Sequence, residues 1–277
     1  MTSVFPFAQV DVFSEQPSFG NPLAVVADAE RLNQTQMAQF AQWTNLSETC
    51  FLLHPTDEAA DYRVRIFTPL QELPFAGHPT LGACHVWLAQ GGQPQGADVV
   101  QQCGAGLIHI RRDKDRLFFC APPLRRSGPL ENALQTRVAT ALNVPLAQVE
   151  AAAWVDNGPG WAALLLKDRQ ALLQAKPDYA ALKGMRIGLV APVNEAGHGF
   201  DFEVRAFSAG GFEDPVTGSL NAGIAQWLLA DGIAKGDYIA AQGTFLGRKG
   251  RVHVVQDGDK IWVGGTVQDG ITGTLKL

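Results

Sequence analysis

The sequence contains no stretch of about 20 consecutive apolar residues, so no segment is expected to cross a bilayer as a helix. It has no run of lysine or arginine. Arg111-Arg112 and Arg125-Arg126 are isolated pairs, and with a net charge of −5 they give no surface for nucleic acid. The four cysteines, Cys50, Cys84, Cys103 and Cys120, show no C-x-x-C spacing, which sets aside a zinc site and a disulfide framework. Met1-Thr2-Ser3-Val4-Phe5-Pro6 lacks the basic and apolar regions of a secretory leader. Reduced, buried thiols in a cytoplasmic protein are the expectation from these absences. No G-x-S-x-G elbow occurs, since Gly218-Ser219 lacks the second glycine. Gly264-Gly265 and Gly104-Ala105-Gly106 lack the strand-to-helix setting of a dinucleotide fingerprint, and no His, Asp and Glu cluster has metal spacing. No cofactor and no metal are expected.

What the chain does hold is a long-period repeat. Glu72-Leu73-Pro74-Phe75-Ala76-Gly77-His78-Pro79-Thr80-Leu81-Gly82 returns as Glu213-Asp214-Pro215-Val216-Thr217-Gly218-Ser219-Leu220-Asn221-Ala222-Gly223. The shared Glu, Pro and Gly positions each lie 141 residues apart (213 − 72, and likewise for the rest). One residue out of register upstream, Val64-Arg65-Ile66-Phe67 matches Val204-Arg205-Ala206-Phe207. Each copy reads as strand, Pro/Gly turn and helix. The length of 277 residues accommodates a duplicated unit of ordinary domain size.

The local patterns agree with two α+β halves. Ala8–Phe13 alternates as a half-buried strand, Gly20-Asn21-Pro22 turns the chain, and Leu23–Val26 returns. A helix is predicted over Asn33–Trp43 and strands over Cys50–Leu53 and Tyr62–Phe67. Pro79 is suited to a first helical turn, and that helix stops at Gly91-Gly92. Strands are predicted over Gly106–Arg111 and Arg116–Cys120. The linker-like composition of Ala121–Pro129 places a boundary that gives halves of 1–122 and 123–277. In the second half, Glu131–Leu142 reads as a helix. Asn157-Gly158-Pro159-Gly160 followed by Trp161–Leu166 echoes the first turn and strand, and Pro177–Leu182 is placed as the counterpart of the first helix. A strand over Phe202–Phe207 precedes the second motif, whose helix is expected to start at Ser219 as its N-cap and end at Asp231-Gly232. The tail reads as strands over Gly243–Gly247, Arg251–Val255, Lys260–Val263 and Thr274–Leu277.

The chemistry follows from the two turns. A glycine before a helix allows close backbone approach, and the first amides of a helix lack internal partners, so each turn can hold a carboxylate or phosphate. For one copy alone, helix packing is the simpler account; the duplication favours a pair of turns facing each other across one cleft around a small anion. His78, at a helix start, has its neutral form favoured and suits proton transfer. His54, His85, His109, His198 and His253 are read as structural. Asp214 either serves the site or caps its own turn. Glu48 reads as a turn acid at a helix–strand junction, and Glu72 and Glu213 suit a structural role because both flank their turns alike.

These residues carry a family resemblance. The chain resembles the phenazine-biosynthesis PhzF-like family of the diaminopimelate epimerase-like fold. The resemblance rests on Val10-Asp11-Val12-Phe13, Gly20–Val26, Leu46-Ser47-Glu48-Thr49, Arg65-Ile66-Phe67-Thr68-Pro69, Glu72–Thr80, Glu213–Ser219 and Gly247-Arg248. It implies two pseudo-symmetric halves, each a barrel-like β-sheet around a central helix, with the active site in the cleft between them, a homodimer and no cofactor. The family's catalytic glutamate falls on Glu48, its histidine on His78, its aspartate on Asp214 and its serine on Ser219. Gly77 and Gly218 would offer backbone N–H groups. Related racemases carry a cysteine at each turn; here those places hold His78 and Ser219, which disfavours a two-thiol mechanism.

The expected function is a cofactor-independent isomerase that moves a proton within a small carboxylic acid, cyclic and amino-substituted ones included. Glu48 would carry the proton, His78 and Asp214 would polarise or orient the substrate, and Ser219 with the Gly77 and Gly218 amides would bind its carboxylate. An amino-acid racemase or epimerase, a lyase-type elimination and a non-catalytic small-anion binding protein remain as alternatives.

Overall fold

Alternating apolar residues build the strands, and two helices that are apolar on every side fill the sheets they belong to. The computed structural model describes residues 3–194 and 197–277. It divides into two compact units, one formed by the chain up to Cys120 together with Gly264–Leu277, the other by Ala121–Val263.

The first unit runs β1 (Val4–Val12), β2 (Asn21–Val26), α1 (Gln34–Thr44), β3 (Thr49–Leu53), β4 (Tyr62–Phe67), β5 (Glu72–Leu73), α2 (Gly77–Ala89), β6 (Val99–Cys103), β7 (Gly106–Asp113) and β8 (Arg116–Cys120). In the second unit come β9 (Arg126–Pro129), α3 (Asn132–Ala141), β10 (Val149–Asp156), β11 (Trp161–Leu166), α4 (Arg169–Gln174), β12 (Arg186–Pro192) and β13 (Phe202–Phe207). These are followed by β14 (Glu213–Asp214), α5 (Gly218–Ala230), β15 (Tyr238–Gln242) and β16 (Gly250–Asp257), and then by the long β17 (Lys260–Lys276), whose final part belongs to the first unit.

The two units repeat one strand order. In the first, β1 is antiparallel to β2, β2 parallel to β3, β3 antiparallel to β4, β4 parallel to β6 and β6 antiparallel to β7. In the second, β10, β11, β12, β13, β15 and β16 follow in the same alternation. In the first unit β7 pairs with β8, β8 with β17, and β17 with β1, which closes a barrel without free edges. Inside it α2 packs against β1, β2, β3, β4, β6 and β8. The matching helix α5 lies on β10, β11 and β16. Gly82 of α2 and Gly223 of α5 hold the same place in the repeat. A β-carbon at Gly223 would overlap the Val155 carbonyl oxygen, and one at Gly82 would press on Leu23, Val10 and Val12. Helix α5 therefore sits on its first strand at a distance only glycine permits, and Gly82 leaves room under α2 for the Leu23, Val10 and Val12 side chains.

Several expectations are corrected. The tail does not form four short strands within the second half. Gly243–Gly247 is a tight 3₁₀ turn over Thr244–Leu246, bounded by Gly243 and Gly247 at positive φ, and Lys260–Lys276 is one strand. Its last part returns to β1, with Val12 opposite Val267 and Val4 opposite Lys276, so Gly264–Leu277 belongs to the first unit. The counterpart of α1 is α4, which starts at its N-cap Asp168 through the Ala171 N–H to Asp168 Oδ1 bond of 2.8 Å; Pro177–Leu182 forms turns. The helix expected over Asn33–Trp43 is present as α1, closed by a capping box between Asn33 and Gln36.

Candidate active site

In the first unit, Ala76 is the extended residue before α2 and provides no side-chain cap. The first helical bond is from Thr80 N–H to Ala76 O, so the Gly77 and His78 amides, with Pro79 lacking one, have no carbonyl a turn back within the helix. His78 is the second residue of α2 and is 5% exposed. Its Nε2 faces Glu48 Oε2 at 3.4 Å, outside full hydrogen-bond geometry. Glu48 stands just before β3, and its side chain keeps 16% of its surface accessible. Burial drives the His78 pKa from 6.5 down to about 3, so the imidazole is neutral near pH 7 and Glu48 stands beside an uncharged ring.

This histidine makes folding sensitive to acid. A group whose pKa is lower in the folded than in the unfolded chain contributes stability in full above the unfolded value. That stability is lost as pH falls toward the folded value. Stability should therefore decline from about pH 6.5 toward about pH 3, and His78→Asn should flatten this decline. Urea titrations of both proteins across that window measure it; parallel losses would show that His78 is not the cause.

The thiols near this turn are poor nucleophiles. Cys50 donates to the Pro79 carbonyl oxygen at 3.7 Å, and burial followed by the neighbouring Glu48 charge pushes its pKa well up. Burial also raises Cys84, to about 12. Neither supplies thiolate near neutral pH.

In the second unit the N-cap of α5 is Thr217, not Ser219; Ser219 is the second helical residue. The local pattern misplaced it because neither side chain caps the helix. Thr217 Oγ1 turns back to donate to Asp214 Oδ2 at 2.6 Å. Ser219 Oγ instead accepts from Trp161 Nε1 at 3.0 Å, while Asn157 Nδ2 donates to the Ser219 carbonyl oxygen at 2.8 Å. An indole N–H can only donate, so the Ser219 hydroxyl keeps its own proton to give to another acceptor. Trp161 and Asn157 lie in a stretch legible as turn and strand, but nothing in it marked them as supports of Ser219. Asp214 does bond within its own turn, as one reading allowed. Gly218 opens α5 as Gly77 opens α2.

Glu72 and Glu213 are structural, as their symmetry indicated. Arg65 grips Glu72 through Nε–Oε1 and Nη2–Oε2 contacts of 2.7 and 2.6 Å, and Arg205 grips Glu213 in the same way at 2.9 and 2.8 Å. Each pair ties a turn to the strand before it. The repeat also shows where the halves part. Thr49 faces Phe67 and Phe67 faces Glu72 in one ladder; Ile187 faces Phe207 and Phe207 faces Glu213 in the other. The residue before Thr49 is Glu48, and the residue before Ile187 is Arg186. The acid in the first unit thus has a base as its counterpart.

Comparison with known proteins fits this arrangement. The family described as phenazine biosynthesis-like protein (PhzC-PhzF) matches residues 10–267. The trans-2,3-dihydro-3-hydroxyanthranilate isomerase of Pseudomonas chlororaphis is 33% identical over 86% of this chain and 86% of its own length. Antisense-enhancing sequence 1 of Schizosaccharomyces pombe is 40% identical over 64% of this chain, and the match spans 62% of that protein. The crystal structure of a PhzF-family phenazine biosynthesis protein from Enterococcus faecalis superposes with a TM-score of 0.82 at 24% identity, covering 99% of this chain and 100% of that one. The fold is the expected α+β, diaminopimelate epimerase-like one. Among the described residues no helix is long and apolar enough to cross a membrane.

Proposed function

The chain belongs to the phenazine biosynthesis-like (PhzC-PhzF) family and is an isomerase, and from that premise we propose that it moves a proton between two carbons of one small carboxylic acid without a cofactor. The observation that carries this reading is the partly accessible Glu48 carboxylate beside a His78 that burial keeps neutral. Glu48 takes a proton from one carbon as base and returns it to another as acid, so that the carboxylate is regenerated and the substrate leaves as its isomer. His78 and Asp214 polarise or orient the substrate. Ser219, with a hydroxyl proton free to point away from Trp161, binds the substrate carboxylate together with the Gly77 and Gly218 amides.

The Pseudomonas relative supplies the first compound to try, trans-2,3-dihydro-3-hydroxyanthranilate. Incubated with the protein in deuterium oxide and followed by NMR, it or another small amino- or hydroxy-carboxylic acid should relocate its double bond and gain a solvent deuteron wherever the Glu48 carboxyl exchanges its proton before delivering it. Deuterium entering a stereocentre without relocation of a double bond would instead indicate an epimerase. Binding across the series with neither exchange nor turnover would defeat the isomerase reading of the site.

A further inference from the structure

We propose that Thr217 and Gln242 are positioning residues for Asp214, holding its Oδ2 as a hydrogen-bond acceptor and thereby favouring the ionised carboxylate. The inference deepens the reading above and rests on it for the part Asp214 plays in the reaction.

The lock follows from a chain of bonds in which each donor is fixed by the one before. Thr217 O, a backbone carbonyl, can only accept, so the atom of Asn221 facing it at 2.9 Å must be Nδ2. That same amide nitrogen lies 2.8 Å from Gln242, and the backbone N–H of Thr217 lies 3.0 Å from it. Two donors converge there, so this atom of Gln242 is Oε1. The opposite end of Gln242 is therefore Nε2, which donates at 3.0 Å to the Asp214 carbonyl oxygen and at 3.0 Å to Thr217 Oγ1. Having accepted that bond, the Thr217 hydroxyl directs its single proton to Asp214 Oδ2 at 2.6 Å. A proton on Oδ2 would take this acceptor away from the Thr217 hydroxyl. The supporting side chains are shielded from water, since Gln242 and Asn221 are fully buried and Thr217 is 6% exposed, while Asp214 itself is partly accessible. Hydrogen bonds of this kind to a carboxylate strengthen when they are taken out of water.

The repeat separates scaffold from function. The counterpart of Gln242 is Gln101 (242 − 101 gives the same 141), which is likewise fully buried. There Tyr62 OH donates to Gln101 Oε1 at 2.9 Å and Gln101 Nε2 donates to Thr80 Oγ1 at 3.0 Å. Thr80 corresponds to Asn221, so a buried glutamine braces the helix start in both units. The positions of Asp214 and Thr217, however, are Leu73 and Ala76 in the first unit. That turn folds without either side chain. The threonine and the aspartate occur together in one half and are missing together from the other, which ties Thr217 to Asp214 rather than to the turn.

The test needs no substrate. The Asp214 carboxyl ¹³C resonance, identified by its loss in Asp214→Asn, is titrated in the wild-type protein, in Thr217→Val and in Thr217→Ser. Arg205 and Glu213, the charged neighbours of Asp214 on β13 and β14, are paired with each other, and Arg248 follows β15; no variant alters them. Removing the hydroxyl should shift the Asp214 titration upward, and serine should restore it, because the bond is made to the ionised form. If valine disturbs folding, Thr217→Ala removes the same hydroxyl with less bulk. An Asp214 titration unchanged in the variant lacking the hydroxyl overturns the proposal. The pH profile of isomerisation, measured on the same proteins, keeps the two ideas apart. A shifted resonance with an unshifted profile supports the lock but overturns the role of Asp214 in the reaction.

Discussion

Replacing Glu48 with Gln should lower turnover by about 10²- to 10⁴-fold, the range that a positioned general acid–base supplies. Glutamine keeps the size of the side chain and can occupy the same place before β3, 3.4 Å from His78, but it cannot accept and return a proton. Its melting temperature should stay close to that of the parent, since the Glu48 side chain is partly accessible and its partner ring is uncharged. Uptake of solvent deuterium into recovered substrate should fall in parallel with turnover, because one group performs both half-steps. The place equivalent to Glu48 in the repeat offers no carboxylate, as Arg186 holds it and is committed to the Pro159 carbonyl oxygen at 2.9 Å. Exchange at the parent rate in Glu48→Gln would falsify the assignment, whatever happened to binding.

That residue also marks how far the sequence can be read. The repeat made two strand–turn–helix units legible because Glu72 and Glu213, Gly77 and Gly218, and Gly82 and Gly223 are each needed for a local reason: an arginine grip, a helix start and a close helix–strand approach. The pairing of Gln101 with Gln242 was not read from the sequence, because their partners appear only in the folded chain. Glu48 lies outside both copies and was singled out by resemblance alone; in the structure the register of β3 on β4 places it. The residues that local patterns missed depend on contacts distant in sequence. Trp161 reaches Ser219 from a strand 58 positions away, and β17 returns to β1 at the other end of the chain. No window of neighbouring residues contains such a pairing. Ser219 was misread as a cap for the same reason, since its hydroxyl serves Trp161 rather than its own helix.

The two arginine grips should respond very differently to the same substitution, although their chemistry is identical. Arg205 is 1% exposed and the Glu213 side chain 5% exposed, and Arg205 Nη1 also donates to the carbonyl oxygens of Leu172 and Ala175 at 3.1 and 2.8 Å, at the end of α4. Glu213→Gln leaves a guanidinium without its counter-charge in a buried setting, for which a loss of about 3–5 kcal/mol is expected. In the other unit Arg65 and Glu72 keep 19% and 34% of their side-chain surface exposed, so water takes up much of the lost interaction. Glu72→Gln should cost about 1 kcal/mol or less. Urea unfolding of the two variants under one set of conditions compares them directly, and equal losses would refute the difference in burial as its cause. The larger loss should also leave a local trace. Because Arg205 bridges β14 to the end of α4, the backbone amides there should exchange faster in Glu213→Gln than in Glu72→Gln, while those of α2 keep their protection in both. The buried pair thus binds three elements of the second unit around Asp214, a task that its more exposed counterpart does not share.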